Sequence, residues 1–186
     1  METDWIAGYP SAEEADLYPV NQLYVKYLVS GLGDGSGSQL EFLAEYLMGT
    51  MPGCRVYRRR KSHSTDYDLV CAMEGVAMDF RAEFGRYFVC ECKDWQSPAG
   101  VTEFAKFCRV LDSVKAKFGI LFSKNGISGG AGNRDAAREQ LKVFQDRGLV
   151  IIVLDRDDLV AVADGQSFIA LLRLRYEHVR LDLESD

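Results

Sequence analysis

A carboxylate and an ammonium stand two residues apart in Cys90-Glu91-Cys92-Lys93, at the end of the apolar run Tyr87-Phe88-Val89-Cys90. The run reads as a buried strand, in which successive side chains point to opposite faces. Glu91 and Lys93 therefore share one face, and Phe88, Cys90 and Cys92 share the other. Charge at the end of an apolar ribbon is costly to bury unless a metal ion or an anionic substrate meets it. The plainer reading of the same four residues is a fraying strand end with a surface ion pair.

Other acids can be brought to that place by the elements around it. In Thr65–Met73, Leu69, Cys71 and Met73 alternate with Asp68, Val70 and Ala72, the pattern of a strand with one strongly apolar face, and Asp68 stands at its mouth. Pairing of this strand with the one that ends at Lys93 would bring Asp68 and Glu91 together. The segment between them, Glu74 to Arg86, carries charge, Gly75 and Gly85, and reads as a connection or elaborated hairpin. Upstream, Leu40, Leu43, Ala44 and Leu47 recur at i, i+3, i+4 and i+7, one apolar helical face, with Ser38 available as N-cap. At about 100° per residue Glu41 lies on the flank of that face and Glu45 further towards solvent. Glu41 is thus the better placed to reach a site at the edge of the core. It reads equally as a solvated glutamate favoured by the helix dipole.

Arg55-Val56-Tyr57 reads as a short strand leading into Arg58-Arg59-Arg60-Lys61-Ser62-His63, the dense cationic run of a chain whose net charge is −6. Local positive charge against a global negative suits a phosphate contact, and also a solvated loop. The overall charge argues against indiscriminate nucleic-acid binding, which rests on neutralising phosphates. With 47% apolar residues in 186, the chain can close one compact core with an appendage and without staples. Cys54, Cys71, Cys90, Cys92 and Cys108 form no CxxC pair and sit mostly in apolar runs, as small buried hydrophobes of a reducing compartment do. No apolar segment approaches the roughly 18 to 20 residues that span a bilayer, and Met1-Glu2-Thr3-Asp4 has the wrong charge for a secretory leader. The expectation is a cytoplasmic protein without a membrane partner. His63 and His178 are too isolated for a catalytic pair or zinc ligands.

The Gly/Ser-rich stretch from Ser30 to Ser38 marks a boundary, with an accessory segment over 1–36 and the main domain over 37–186. Within the accessory segment, Ala12 to Val29 reads as a helix interrupted near Pro19. Beyond Lys93, Phe104, Phe107, Cys108, Leu111 and Val114 mark a helix and Phe118–Phe122 a buried strand. Ala137, Leu141 and Phe144 mark a second helix, Leu149–Leu154 a second buried strand, and apolar residues from Leu159 to Leu172 terminal helical cover. Two buried strands joined by a helix form a βαβ crossover. Asn125 to Asn133 is glycine-dense but lacks the Lys-Ser/Thr ending of a P-loop, and reads as a substrate-side loop.

In this order, a helix with Glu41, Asp68-Leu69-Val70 at a strand start, Glu91-Cys92-Lys93-Asp94-Trp95-Gln96, then helix, strand, helix and strand ending in Asp157-Asp158-Leu159, the chain resembles the PD-(D/E)XK nuclease superfamily. Within it the likeness is to the Mrr-like branch of restriction-endonuclease folds, and it runs from about Gly37 to Leu159. Tyr67 stands where a proline usually precedes the Asp, which leaves Asp66 as a weaker rival to Asp68. The resemblance implies a three-layer α/β/α sandwich around a mixed central sheet. It implies a metal-dependent nuclease, most readily an endonuclease on DNA in defence or repair, with Glu41, Asp68, Glu91, Lys93 and Gln96 in the catalytic set. Asp68, Glu91 and the backbone carbonyl of Cys92 would hold Mg²⁺, or Mn²⁺ in its place. Arg58, Arg59, Arg60, Lys61 and Ser128 are candidate substrate contacts, and a homodimer is the expected way to cut both strands of a duplex. The competing class is a non-catalytic nucleic-acid or nucleotide sensor that keeps the nuclease fold.

Overall fold

The computed structural model describes residues 19–61, 66–74, 78–128, 143–144 and 148–181. Five strands, β1 (Cys54–Lys61), β2 (Asp66–Met73), β3 (Tyr87–Lys93), β4 (Phe118–Ser123) and β5 (Val150–Leu154), make one sheet in the order β1-β2-β3-β4-β5. The first three pair antiparallel, and β3, β4 and β5 pair parallel, so β3 lies at the change of sense in a mixed sheet. β4 and β5 are nearly continuous in Val, Ile, Leu and Phe because helices cover both of their faces.

One face packs against α1 (Gln22–Ser30), α2 (Ser38–Gly49), α5 (Arg156–Ala163) and α6 (Phe168–Arg180). There Leu69, Cys71, Phe88, Cys90, Ile120 and Phe122 meet Leu40, Leu43, Leu47, Leu159 and Leu172 in the larger core. The other face packs against α4 (Val101–Val114) through Val89, Leu121 and Ile151 with Phe104, Phe107 and Leu111. Gly119 allows this second layer its closeness, since a Cβ there would stand 2.8 Å from Phe107 Cζ and from Leu111 Cδ1. Helices on both faces of a mixed sheet make the three-layer α/β/α arrangement that the resemblance implies.

Several boundaries differ from the expectations. The segment expected to be a hairpin connection holds α3 (Met78–Phe84), whose Phe84 stacks on Phe118 with ring centroids 4.0 Å apart, so a buried aromatic draws the connection into helix. The cationic run is strand as far as it is described: β1 extends through Lys61 because Arg58, Arg60 and Lys61 pair with Leu69, Tyr67 and Asp66, and Ser62 and His63 lie outside the described residues. Ser38 is the first helical residue of α2 and not its cap, because Gly37 at φ 69° turns the chain into the helix one residue earlier. α1 contributes Val25, Leu28 and Val29 to the larger core. The helix expected around Ala137 and Leu141 falls outside the described residues, as does most of Asn125–Asn133.

All five cysteines are free. Cys71 and Cys90 bring their sulfurs to 3.9 Å inside the core, and burial pushes the thiols of Cys90 and Cys92 up. Neutral buried thiols behave as the small hydrophobes that the sequence reading made of them.

Candidate active site

The ladder between the interior strands β2 and β3 stops short of their ends, since β2 begins at Asp66 and β3 runs on to Lys93. Their last backbone rung joins Leu69 to Cys90, so the next residues, Asp68 and Glu91, face each other where the ladder has stopped. The Asp68 carboxylate takes over from the missing backbone acceptor: the Cys92 N–H donates to Asp68 Oδ2 at 2.8 Å. An extended residue turns its N–H and its carbonyl towards the same neighbouring strand. The Cys92 carbonyl therefore faces the Asp68 edge as well, while the Cys92 side chain packs into the larger core.

Glu91 and Lys93 lie on the same face of β3, as the alternation requires, and the Lys93 ammonium donates to Glu91 Oε1. Both are largely shielded, with side-chain exposures of 19% and 18%. Burial holds the Glu91 carboxyl above the usual carboxylate range, and the charge of Asp68 adds to this. Asp68 is raised too, first by burial, with Cys92 and Lys93 pulling the other way and Glu41 pushing further up. Burial alone would lower the Lys93 ammonium, but Glu91 and Asp68 outweigh it and hold the group protonated. The ammonium bonded to Glu91 thus acts on both carboxylates.

Glu41 reaches the same acids from α2, near enough for its charge to act on both Asp68 and Glu91. Its own partners are two guanidiniums: Arg59 Nε at 2.8 Å and Arg58 Nε at 3.4 Å, both to Oε2. Arg58 is further fixed by Glu45 at 3.4 Å and by the Phe42 ring, 3.9 Å from its guanidinium carbon. Arg60 lies over Tyr57 at 4.9 Å. The predicted site residues Glu41, Asp68, Glu91 and Lys93 are therefore together, with Arg58 and Arg59 added to them. Asp66, the rival acid, is exposed at the start of β2.

Other predicted residues lie on the segments that follow β3 and β4. Gln96 is exposed on the turn after β3, beside Gly33. Ser128 is tied by its backbone N–H to the Ala99 carbonyl at 2.9 Å, ahead of α4. Trp95 is 44% exposed, and its ring centroid lies 5.3 Å from Lys93 Nζ.

Sequence reasoning missed the tie between the glycine-rich loop and this turn. The Gly33 N–H donates to Asp94 Oδ2 at 2.8 Å, and Gly33 takes a left-handed φ of 88° beside the Lys124 ammonium, a backbone that suits glycine. The Gly/Ser composition signalled a loop but not its docking place. Asp158 is a further acid outside the site: it caps α5 with Asp155 and pairs with Arg175 of α6 at 2.6 Å.

Among the described residues no three or more His, Cys, Asp or Glu side chains form a cluster that could hold a metal by themselves. No helix among them is long and apolar enough to cross a membrane. Neither a curated protein nor a solved structure matches the chain. The family model Mrr_cat, described as restriction endonuclease, matches residues 34–163. That match covers more than half of the chain and takes in Glu41, Asp68 and the Glu91–Lys93 pair, so the chain belongs to this restriction endonuclease family, in the Mrr-like branch of the PD-(D/E)XK superfamily.

Proposed function

We propose that this nuclease domain is a divalent-metal-dependent endonuclease that hydrolyses phosphodiester bonds of DNA, with Mg²⁺ as its ion and Mn²⁺ able to replace it. The observation that carries the reading is the placing of Asp68 and Glu91 side by side where the β2–β3 ladder stops, with the Lys93 ammonium bonded to Glu91 and its charge acting on Asp68. Such a pair fits Mg²⁺, which binds through one or two carboxylates and keeps its remaining positions for water and substrate phosphate. Asp68, Glu91 and the Cys92 carbonyl would hold it. When bound, the ion supplies a more acidic water and neutralises charge on the phosphoryl oxygens.

The chain's own groups do the rest. Lys93 is already an ammonium bonded to Glu91, so its part is to orient the attacking water and offset negative charge that develops on the phosphate, more than to remove a proton. Glu41 adds negative charge at the far side of Asp68. Gln96, exposed just beyond Lys93, positions water or substrate. Arg58, Arg59, Arg60 and Lys61 along β1, and Ser128, are the proposed substrate contacts. Residues 1–36 are an accessory to the domain at 37–186, joined to it through the buried side of α1. A single site cuts one strand, so a homodimer belongs to the same proposal, as does a cytoplasmic setting in which the free thiols stay reduced. Sedimentation showing a monomer both with and without duplex would remove the dimer.

The test is a cleavage panel over duplex DNA, single-stranded DNA and RNA with Mg²⁺, Mn²⁺ or chelator, for wild type and Lys93→Ala. Metal-dependent cutting of duplex DNA by wild type alone is the expected result. Binding without cutting, with metal present, would instead favour a sensor that keeps the fold.

A further inference from the structure

β1 contains one residue whose backbone its strand does not call for. Arg59 has φ 49°, in the left-handed region that non-glycine residues rarely occupy. The β1–β2 ladder runs from Cys54↔Met73 to Arg58↔Leu69 and resumes at Arg60↔Tyr67. The rung left out is that of Arg59, whose opposite number in this register is Asp68. Neighbouring residues of a regular strand point to opposite faces, yet Arg58 and Arg59 both reach Glu41 Oε2. The backbone turn at residue 59 therefore aims a second guanidinium at an acid that already has one.

The two arginines are not equivalent. Arg58 is 21% exposed and held by Phe42, Glu41 and Glu45, as a part of the framework would be. Arg59 is 58% exposed and, among the described residues, bonded to Glu41, with Nη2 also 3.4 Å from Oε1, while Glu41 itself is 15% exposed. Its charge is favoured by Glu41 and, less strongly, by Asp68. A strained backbone maintained for a solvent-facing ion pair, worth little in water, calls for a purpose beyond stability.

We propose that Arg59 is an exchangeable cation: without metal its guanidinium screens the Glu41 and Asp68 end of the acid group, and with a divalent ion held at Asp68 and Glu91 it turns to a phosphate of the nucleic-acid backbone. A guanidinium suits this exchange because carboxylate and phosphate offer its fork the same paired oxygens. Two cations competing for one set of acids must weaken each other, and by linkage a metal that releases Arg59 strengthens nucleic-acid binding to the same extent that nucleic acid strengthens metal binding. The inference rests on the reading of the site as a metal-dependent nuclease.

The experiment compares wild type, Arg59→Gly and Arg59→Lys. Glycine accepts the left-handed backbone without strain, so Arg59→Gly keeps the fold, which its thermal midpoint verifies. Mn²⁺ affinity is measured by calorimetry without nucleic acid, and affinity for a short DNA duplex by fluorescence anisotropy in chelator and in Ca²⁺. Arg59→Gly is expected to bind Mn²⁺ about tenfold tighter and to lose most of the gain in duplex affinity that Ca²⁺ produces in wild type, a coupling of the ordinary size. Its salt dependence of duplex binding in Ca²⁺ should be shallower by about one phosphate contact, and Arg59→Lys should fall between the two. Equal Mn²⁺ affinity in wild type and Arg59→Gly, with an unchanged effect of Ca²⁺ on duplex binding, overturns the inference while leaving a cleaving wild type as a nuclease. Wild type that binds neither Mn²⁺ nor duplex overturns both.

Discussion

β3 has two ends that obey opposite rules. At its start Phe88 joins Phe84, Phe118 and Tyr176 in a cluster of rings, with Phe84 and Phe118 stacked at 4.0 Å and Phe88 and Phe118 edge to face at 5.3 Å. The Tyr176 hydroxyl donates to Glu83 Oε2 at 2.6 Å on the exposed rim of this cluster. At its finish, six residues on, the apolar face continues under Cys90 and Cys92, while the opposite face turns from Val89 to Glu91 and Lys93. The ring end gains stability from contact. The charged end holds two carboxylates at raised pKa, which lowers the stability of the metal-free fold at neutral pH. One strand thus anchors a site at one end through packing that the other end would not supply.

The contrast can be broken most severely at Lys93. Lys93→Ala should cut the rate of DNA cleavage by about a thousandfold or more, while calorimetry still finds metal bound. Loss of metal binding along with activity would show Lys93 to be part of the framework. At the other end, Phe118→Ala should destabilise the domain by about 3–5 kcal/mol, measured by chemical denaturation. The molecules that remain folded should still bind metal. A normal denaturation midpoint would mean that the rings are not the anchor.

A finer test uses the sign of the carboxylate shifts. A carboxyl whose pKa is higher folded than unfolded stabilises the fold below its unfolded pKa, and that contribution is lost as pH rises through the folded pKa. Asp68 is such a group. Asp68→Asn, whose amide oxygen can still accept from Cys92, should therefore raise the thermal midpoint of the metal-free protein near pH 7, with the gain vanishing as pH falls into the ordinary carboxylate range. It should also lose the stabilisation that Mg²⁺ confers on wild type. Cleavage by wild type should decline on acidification from a higher pH than an unshifted carboxylate would set, because metal ligands must be ionised. The smallest change is Tyr176→Phe, which removes one hydrogen bond at the ring end. A loss of about 1 kcal/mol in denaturation, with cleavage per folded molecule unchanged, is the expected outcome.

The alternation of Leu69, Cys71 and Met73 with Asp68 and Val70, and of Phe88 and Cys90 with Glu91, is enough to place the two acids on the same side of two strands. A strand's side-chain period of two is local and shows in the residues themselves. The apolar runs at 118–122 and 149–154 likewise announce buried parallel strands, and the order of elements carries the family. What the residues could not announce is which separate pieces meet. That α3 would be helix depended on Phe84 finding Phe118, 34 positions away, and that the cationic run would be strand depended on rungs to Leu69, Tyr67 and Asp66. The pairing of Arg58 and Arg59 with Glu41, the left-handed turn at Arg59, and the docking of Gly33 on Asp94 have no local signature at all. Periodicity records how a segment faces its surroundings, whereas a contact between distant segments exists only after the sheet has set their register. The acids of this site and Lys93 were written in the chain, and the two guanidiniums that answer Glu41 were chosen by the fold.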